Sequence, residues 1–134
     1  MMQLRVTKNY VGKLSLKSTK KRDDNLKLNL NVSFSEMSFT TTIDISLVSR
    51  EGMALTLSFV TEFAVSGISI QELEKTPHPY VNGPTIAYPF LRAFLGTFTL
   101  NAGMDPILLP SVNFLALWEK SERKAELDAA SNAP

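Results

Sequence analysis

The first half of the chain alternates apolar and polar residues with the period of two that marks half-buried β-strands. The clearest case runs from Leu26 to Phe34, where lysine, asparagine and serine separate the apolar residues. The same pattern recurs over 39–47 and 53–59, and a looser version over 4–16 contains Gly12, which marks a bulge. Short connections between these strands predict an antiparallel meander with one apolar face. We assign three residues of the last strand to the core: Met53, Leu55 and Leu57.

Helical periodicity begins only after residue 84. Three prolines make Thr76–Pro84 an irregular crossing segment, and from about Pro89 an apolar stripe predicts a helix that ends near Gly103. The segment 105–112 holds two prolines, and Asn113 is a suitable N-cap for a second helix that reaches about Ala130. The stripe is assigned to the helix–sheet core or to a seam between subunits: Phe90, Phe94 and Phe98.

Strands followed by helices predict one α+β domain over residues 1–134, a four-stranded antiparallel sheet with two helices packed on one face. The chain has no cysteine, which excludes disulfides, cysteine-ligated metals and thiol nucleophiles. His78 is the only histidine, and neither a nucleophile elbow nor a metal-ligand cluster accompanies it. We therefore expect no enzyme activity and no cofactor.

The chain also lacks an apolar run of membrane-spanning length and an apolar signal core near its start. This predicts a cytoplasmic protein that does not insert into membranes.

Positive charge is concentrated at the start of the chain. Residues 1–22 contain seven basic side chains and no acidic one, whereas the remainder carries seven basic and thirteen acidic groups, a net charge of −6. This asymmetry suggests a patch for an anionic partner or for an acidic surface of the protein's own oligomer. The plainer interpretation is a solvated strand face whose lysines protect a sheet edge.

The crossing region before the first helix is unusually apolar for a surface connection. It either forms a satellite core or lines a groove opposite Leu115, Leu117 and Trp118 of the last helix. Its large apolar residues are Phe63, Val65, Ile68, Ile70 and Leu73.

Three segments of the chain resemble the SecB family of protein-export chaperones: Phe63–Ile68, Tyr88–Arg92 and Leu109–Leu117. The resemblance covers about Phe63 to Trp118, and the first half matches it in strand pattern and order. It implies a homotetramer, a dimer of dimers, that holds unfolded preproteins in extended form without ATP. It also implies a client groove between the crossover and the second helix, formed by Phe63, Val65, Ile68, Ile70, Leu73, Leu115 and Trp118.

The chain departs from the family on the other side of the sheet. Family members carry acidic residues there that dock the zinc-bearing tail of the export motor SecA. The corresponding positions here are Lys13, Lys17 and Thr56. Because lysines repel a basic partner, this departure calls SecA docking into question and leaves the client groove intact.

Some family members serve toxin–antitoxin systems, in which the chaperone protects an aggregation-prone antitoxin. A dedicated chaperone of an antitoxin client is therefore the alternative to general export.

Two other classes of function compete with a chaperone. A hotdog-like thioesterase needs a carboxylate or histidine at the start of its helix, whereas the expected start here is Tyr88-Pro89-Phe90. A nucleic-acid-binding strand needs aromatic residues among its lysines, and only Tyr10 interrupts the basic set. Neither class explains the apolar crossover, so no nucleic-acid partner is expected.

Overall fold

The computed structural model describes residues 1–21 and 25–131 and contains a sheet of four antiparallel strands. The strands are β1 (Gln3–Ser18), β2 (Lys27–Phe34), β3 (Ser38–Val48) and β4 (Met53–Ser66). The helices of the described part are α1 (Ile70–Leu73), α2 (His78–Asn101), α3 (Phe114–Glu119) and α4 (Glu122–Ser131). None of these is long and apolar enough to cross a membrane. The expected class, a four-stranded antiparallel sheet covered by helices, is confirmed.

The strand order is β1-β4-β3-β2, so the simple meander is wrong at one connection. Strands β2, β3 and β4 form successive hairpins as expected, but β1 pairs with β4 at the far edge of the sheet. Alternation shows which face of a strand is buried, but it does not show which strand lies beside it in the sheet. In addition, no tight-turn dipeptide links β1 to β2. Within the described residues, β1 and β2 are consequently the two edge strands.

Strand β1 contains two bulges, which reverse its faces locally. Register shifts leave Thr7 and Gly12 without a partner on β4. The bulge at Gly12 is confirmed, and the one at Thr7 was not anticipated. Simple alternation along β1 would place Tyr10 on the apolar face with Leu14 and Leu16. Because it lies between the bulges, it instead faces away from the helices, on what we call the outer face of the sheet.

Helix α2 begins at His78, well before the expected start at Pro89. Its first proline occupies the first turn, where a backbone N–H has no partner within the helix. Pro84 and Pro89 lie inside the helix, and each removes a backbone hydrogen bond. Burial of apolar α2 residues against the sheet, Leu91 and Leu95 among them, offsets this loss. Packing thus overrides the local proline signal.

The expected second helix starts as predicted and then breaks. The Asn113 side chain accepts a hydrogen bond of 3.0 Å from the Ala116 N–H, which confirms the N-cap. The Ser121 hydroxyl donates to the carbonyl of Trp118 at 2.8 Å and accepts from the N–H of Lys124 at 3.1 Å. One serine therefore ends α3 and starts α4.

The core consists of two clusters on the inner face of the sheet. The first lies between α2 and the middle of the sheet and includes Leu55 and Leu57, as predicted. Met53, also assigned to the core, is only partly buried at the start of β4. The second cluster lies at the α1 end of the sheet: Phe39, Phe63, Val65, Ile70 and Leu73.

The contact of α2 with β3 predicts opposite effects for alanine at two glycines of one helix. A Cβ on Gly83 would lie 2.7 Å from Thr41 Oγ1 and 3.1 Å from Phe39, so Gly83→Ala should destabilise the fold by about 1–3 kcal/mol. A Cβ on Gly96 would meet no atom closer than 3.9 Å, so Gly96→Ala should stabilise it by up to about 1 kcal/mol. Denaturant unfolding of both variants tests this, and equal effects would contradict it.

Candidate functional site

An open groove of about 620 Å³ lies between β2 and the region of α3. Apolar side chains of β2 form one wall, and the end of α3 forms the other. Its lining residues are Leu28, Asn29, Leu30, Asn31, Val32, Phe34, Glu74, Tyr80, Leu117, Trp118 and Ser121.

Three aromatic rings form a continuous wall at one end of the groove. The rings of Tyr80 and Trp118 stack with centroids 4.8 Å apart and planes 17° apart. Phe34 meets Tyr80 edge-on at 6.3 Å. These contacts join α2, α3 and β2, which are distant in sequence. The wall is therefore a product of the tertiary fold and presents aromatic surface at a site large enough for side chains.

The groove also borders the free edge of β2. This strand pairs only with β3 among the described residues, so alternate residues direct backbone N–H and C=O groups outward. The presence of Asn29 and Asn31 in the lining, although they lie on the outer face, shows that the groove reaches this edge. An extended peptide in the groove has both side-chain pockets and backbone partners within reach.

The polar chemistry of the groove is sparse. Among the described residues that line it, Glu74 is the only charged one. His78, four residues later in the chain, has its Nδ1 2.9 Å from the amide nitrogen of Asn82 one turn along α2. No group of three or more His, Cys, Asp or Glu residues among those described could hold a metal ion. The arrangement is suited to burying apolar side chains.

The connector 102–113 fixes the position of α3, and side-chain hydrogen bonds of Thr99, Tyr88 and Glu51 help to hold it. The Thr99 hydroxyl accepts from the N–H of Ile107 at 2.9 Å, and the Tyr88 hydroxyl donates to the carbonyl of Pro110 at 2.6 Å. The N–H of Asp105 donates to a carboxylate oxygen of Glu51 at 2.9 Å. Leu109 and Phe114 are buried in the first core cluster. The α3 wall of the groove is thus anchored through α2.

The family model described as preprotein translocase subunit SecB matches residues 1–125 of the chain. The chain belongs to the SecB family. A protein-export protein SecB of Granulibacter bethesdensis is 31% identical over 77 residues, 58% of this chain and 44% of that protein. Its counterpart in Magnetococcus marinus is 26% identical over 115 residues, 83% of this chain and 64% of that protein. In both alignments the chain spans less than two thirds of the SecB relative.

Among solved structures, the fold is similar to that of a SecB-like chaperone of Mycobacterium tuberculosis, Rv1957, in complex with a ChAD peptide from the Rv1956 HigA1 antitoxin. The TM-score is 0.62 at 15% identity, and the match covers 81% of this chain and 87% of that one. At this identity the similarity establishes a shared fold. Together with the family model, it confirms the resemblance to SecB found in the sequence.

The structure distributes the residues proposed for client contact between the groove and the second core cluster. Phe63 and Val65 lie on β4 and not in a crossing loop, and Ile70 and Leu73 form the buried side of α1. These four are buried, and the cluster they form packs against Val32 and Phe34 of the groove lining. Ile68 is partly buried against the same cluster. Their contact with a client stays a prediction.

The two remaining residues of that set belong to α3. Trp118 lines the groove with one face of its ring stacked on Tyr80. Leu115 is 52% exposed on the same short helix but does not line the groove. Both stay predictions as client contacts.

The β2 wall and Tyr80 were missed as groove residues. The alternation over 26–34 was recognised, but it does not show that β2 is an edge strand. Tyr80 lies in a proline-rich segment that was interpreted as irregular, whereas it forms part of α2. Only the strand order and the early start of α2 bring these residues to the groove.

The residues assigned to a partner-docking face share one side of the sheet. Lys13 and Lys17 pair with Ser58 and Ala54, and Thr56 lies between these two on β4. All three assigned side chains are exposed on the outer face, opposite α2. Their part in docking a partner stays a prediction.

The burial of Tyr88 predicts a specific loss of stability at alkaline pH. Burial raises the pKa of Tyr88 above its usual value of 10.0, and the charge of Arg92 opposes this shift. The unfolded chain therefore ionises Tyr88 first, so stability is present below pH 10 and falls as pH rises toward the folded pKa. Tyr88→Phe should cost about 1 kcal/mol at neutral pH and flatten the alkaline decline.

Urea unfolding across this pH range checks the effect. Tyr10→Phe, on the outer face, is the matched control and should keep the decline that Tyr88 causes. An identical pH profile for Tyr88→Phe and the wild type would contradict the effect of burial on the pKa of Tyr88.

Proposed function

We propose that this SecB-family chain is a holding chaperone that binds unfolded or extended polypeptide segments in the β2–α3 groove without ATP. The observation that carries this proposal is the groove itself, which combines an aromatic wall with a free strand edge. Such a site recognises features common to all unfolded chains, namely apolar side chains and backbone amides. It calls for no catalytic group and no cofactor, so we do not expect enzyme activity.

Binding of an extended client is supported by many small contributions. Each large apolar side chain buried in the groove contributes about 1.5–3 kcal/mol, from which the cost of ordering the client is subtracted. Added hydrogen bonds along β2 do not depend on client sequence. This combination gives moderate affinity for many segments, as a holding chaperone requires.

A dedicated antitoxin client is the second candidate, and it is favoured by the outer face of the sheet. The structurally similar Rv1957 was solved with an antitoxin peptide. In this chain Lys13 and Lys17 are exposed on the outer face, and two lysines there disfavour a basic partner such as the SecA zinc tail. Micromolar binding of that tail would count against this candidate. In either role we expect the protein to act in the cytoplasm.

We also propose that the chain assembles through the exposed side of α2. The resemblance to the family implies that the assembly is a homotetramer. Five exposed residues on this side follow the alternating i+4, i+3 spacing of a helix–helix seam. Arg92 is the only Lys, Arg, Asp or Glu in the whole helix and does not belong to the seam. The seam consists of Ile86, Phe90, Ala93, Thr97 and Leu100.

The groove predicts that Leu117→Asp impairs client binding while leaving the fold intact. Leu117 lines the groove and is 43% exposed, so aspartate there costs little stability but places a charge against apolar client residues. Affinity for a reduced, unfolded client should fall about tenfold or more. Trp118, the only tryptophan of the chain, lies in the groove, so its fluorescence reports binding directly.

Leu108→Asp is the control, because Leu108 is 82% exposed and lies outside the groove lining. Suppression of aggregation of a denatured protein, without ATP, gives a second measurement. Wild-type affinity in Leu117→Asp, or an equal loss in both variants, would argue against the groove.

The helix seam predicts that Phe90→Glu dissociates the assembly. Phe90 is 46% exposed in the single chain, so the substitution should preserve secondary structure and lower the mass measured by light scattering. Arg92→Glu, on the same helix but outside the seam, should leave the mass unchanged. A wild-type mass for Phe90→Glu would refute this seam.

A further inference from the structure

Four cations lie in a row along the outer face of β1: Arg5, Lys8, Lys13 and Lys17. All four side chains are exposed. β1 is the edge strand farthest from β2, so the row and the client groove occupy opposite edges of the sheet. The row is therefore separate from the proposed client site.

The two bulges of β1 create this row. By simple alternation, Lys8 would face the helices while Arg5, Lys13 and Lys17 face outward. The unpaired residues Thr7 and Gly12 reverse the segment between them. The reversal brings Lys8 into line with the other three cations.

The neighbours of the row leave most of its charge uncompensated. Arg5, Lys13 and Lys17 lie opposite Ala64, Ser58 and Ala54 on β4, which are uncharged. In the described part of the chain, no ion pair within 4.0 Å involves these three cations or Lys8.

Two carboxylates also lie on the outer face. Glu62 lies opposite Lys8. Asp44 accepts hydrogen bonds from Ser58 and from Asn31, the latter at 3.5 Å.

We propose that the outer face of β1 and β4 docks an acidic segment of another polypeptide. Charge complementarity supports this partner, since the row has exposed positive charge without ion-pair partners of its own. Lys13 and Lys17 are about 13 Å apart at the rise of a strand, a spacing that discrete carboxylates along a peptide can match.

Other polyanions fit this face less well. The carboxylates of Glu62 and Asp44 repel anions on the same face. A phosphate backbone carries a charge on every nucleotide and cannot avoid them, whereas a peptide can place its carboxylates opposite Lys13 and Lys17. Lys8 lies over the Tyr10 ring at 4.8 Å from its centroid, so this ring is not a free stacking platform for a base. Val60, the large apolar residue of β4 on this face, is buried, so β4 contributes no exposed apolar anchor for a membrane surface.

The test uses a short fluorescein-labelled peptide of alternating glutamate and serine and the full chain. Anisotropy should show binding at low ionic strength that weakens as salt is raised. Lys13→Glu/Lys17→Glu should weaken this binding by about tenfold, as the reversal of two exposed charge pairs implies. Circular dichroism checks that the variant is folded.

Lys75→Glu/Lys120→Glu makes the same change of net charge at exposed positions off this face and should keep the affinity. Leu117→Asp should also keep it, which separates this proposal from the client groove. Undetectable peptide binding at low salt, or equal losses in the two double variants, would overturn the proposal. So would tighter binding of single-stranded DNA or of phosphatidylserine vesicles than of the acidic peptide.

Discussion

Helix α2 lies directly on the sheet because Gly83 has no side chain. Its Cα approaches Thr41 and Phe39 so closely that no Cβ fits between them. This approach places Tyr80, one turn earlier, against Phe34 of the edge strand. The contact between Phe34 and Tyr80 at one end of the groove thus depends on a single close approach between a helix and a strand.

The α3 wall of the groove also depends on α2, because polar side chains of α2 hydrogen-bond the connector that leads to α3. The Thr99 hydroxyl donates to the carbonyl of Leu95 at 2.7 Å and accepts from the N–H of Ile107 at 2.9 Å, and Tyr88 bonds Pro110. Buried polar groups are costly unless they are bonded, so these contacts hold the connector in one position. Since the connector leads directly into α3, the width of the groove depends on the position of α2 relative to the sheet.

Much of this fold could be predicted from the sequence, because burial is encoded locally. Alternation identified the strands, Gly12 identified a bulge, and Asn113 identified the start of α3. What escaped prediction depends on contacts between distant residues. Leu28 and Leu30 line a groove only because β1 inserts beside β4 and leaves β2 at an edge. Phe63 and Leu73 are buried because α1 packs on the end of the sheet. A helix of four residues is too short to show a periodic pattern in the sequence.

The strand order also separates charge from apolar surface. If β1 lay beside β2, as in a meander, its lysines would border the apolar groove and a client would bind next to several cations. With β1 at the far edge, Glu74 is the only charged residue among the described residues of the groove lining. The basic row then faces solvent on the other side of the sheet, where charge does not oppose burial of apolar client residues. One chain can in this way carry both the proposed client groove and the proposed site for an acidic segment without either interfering with the other.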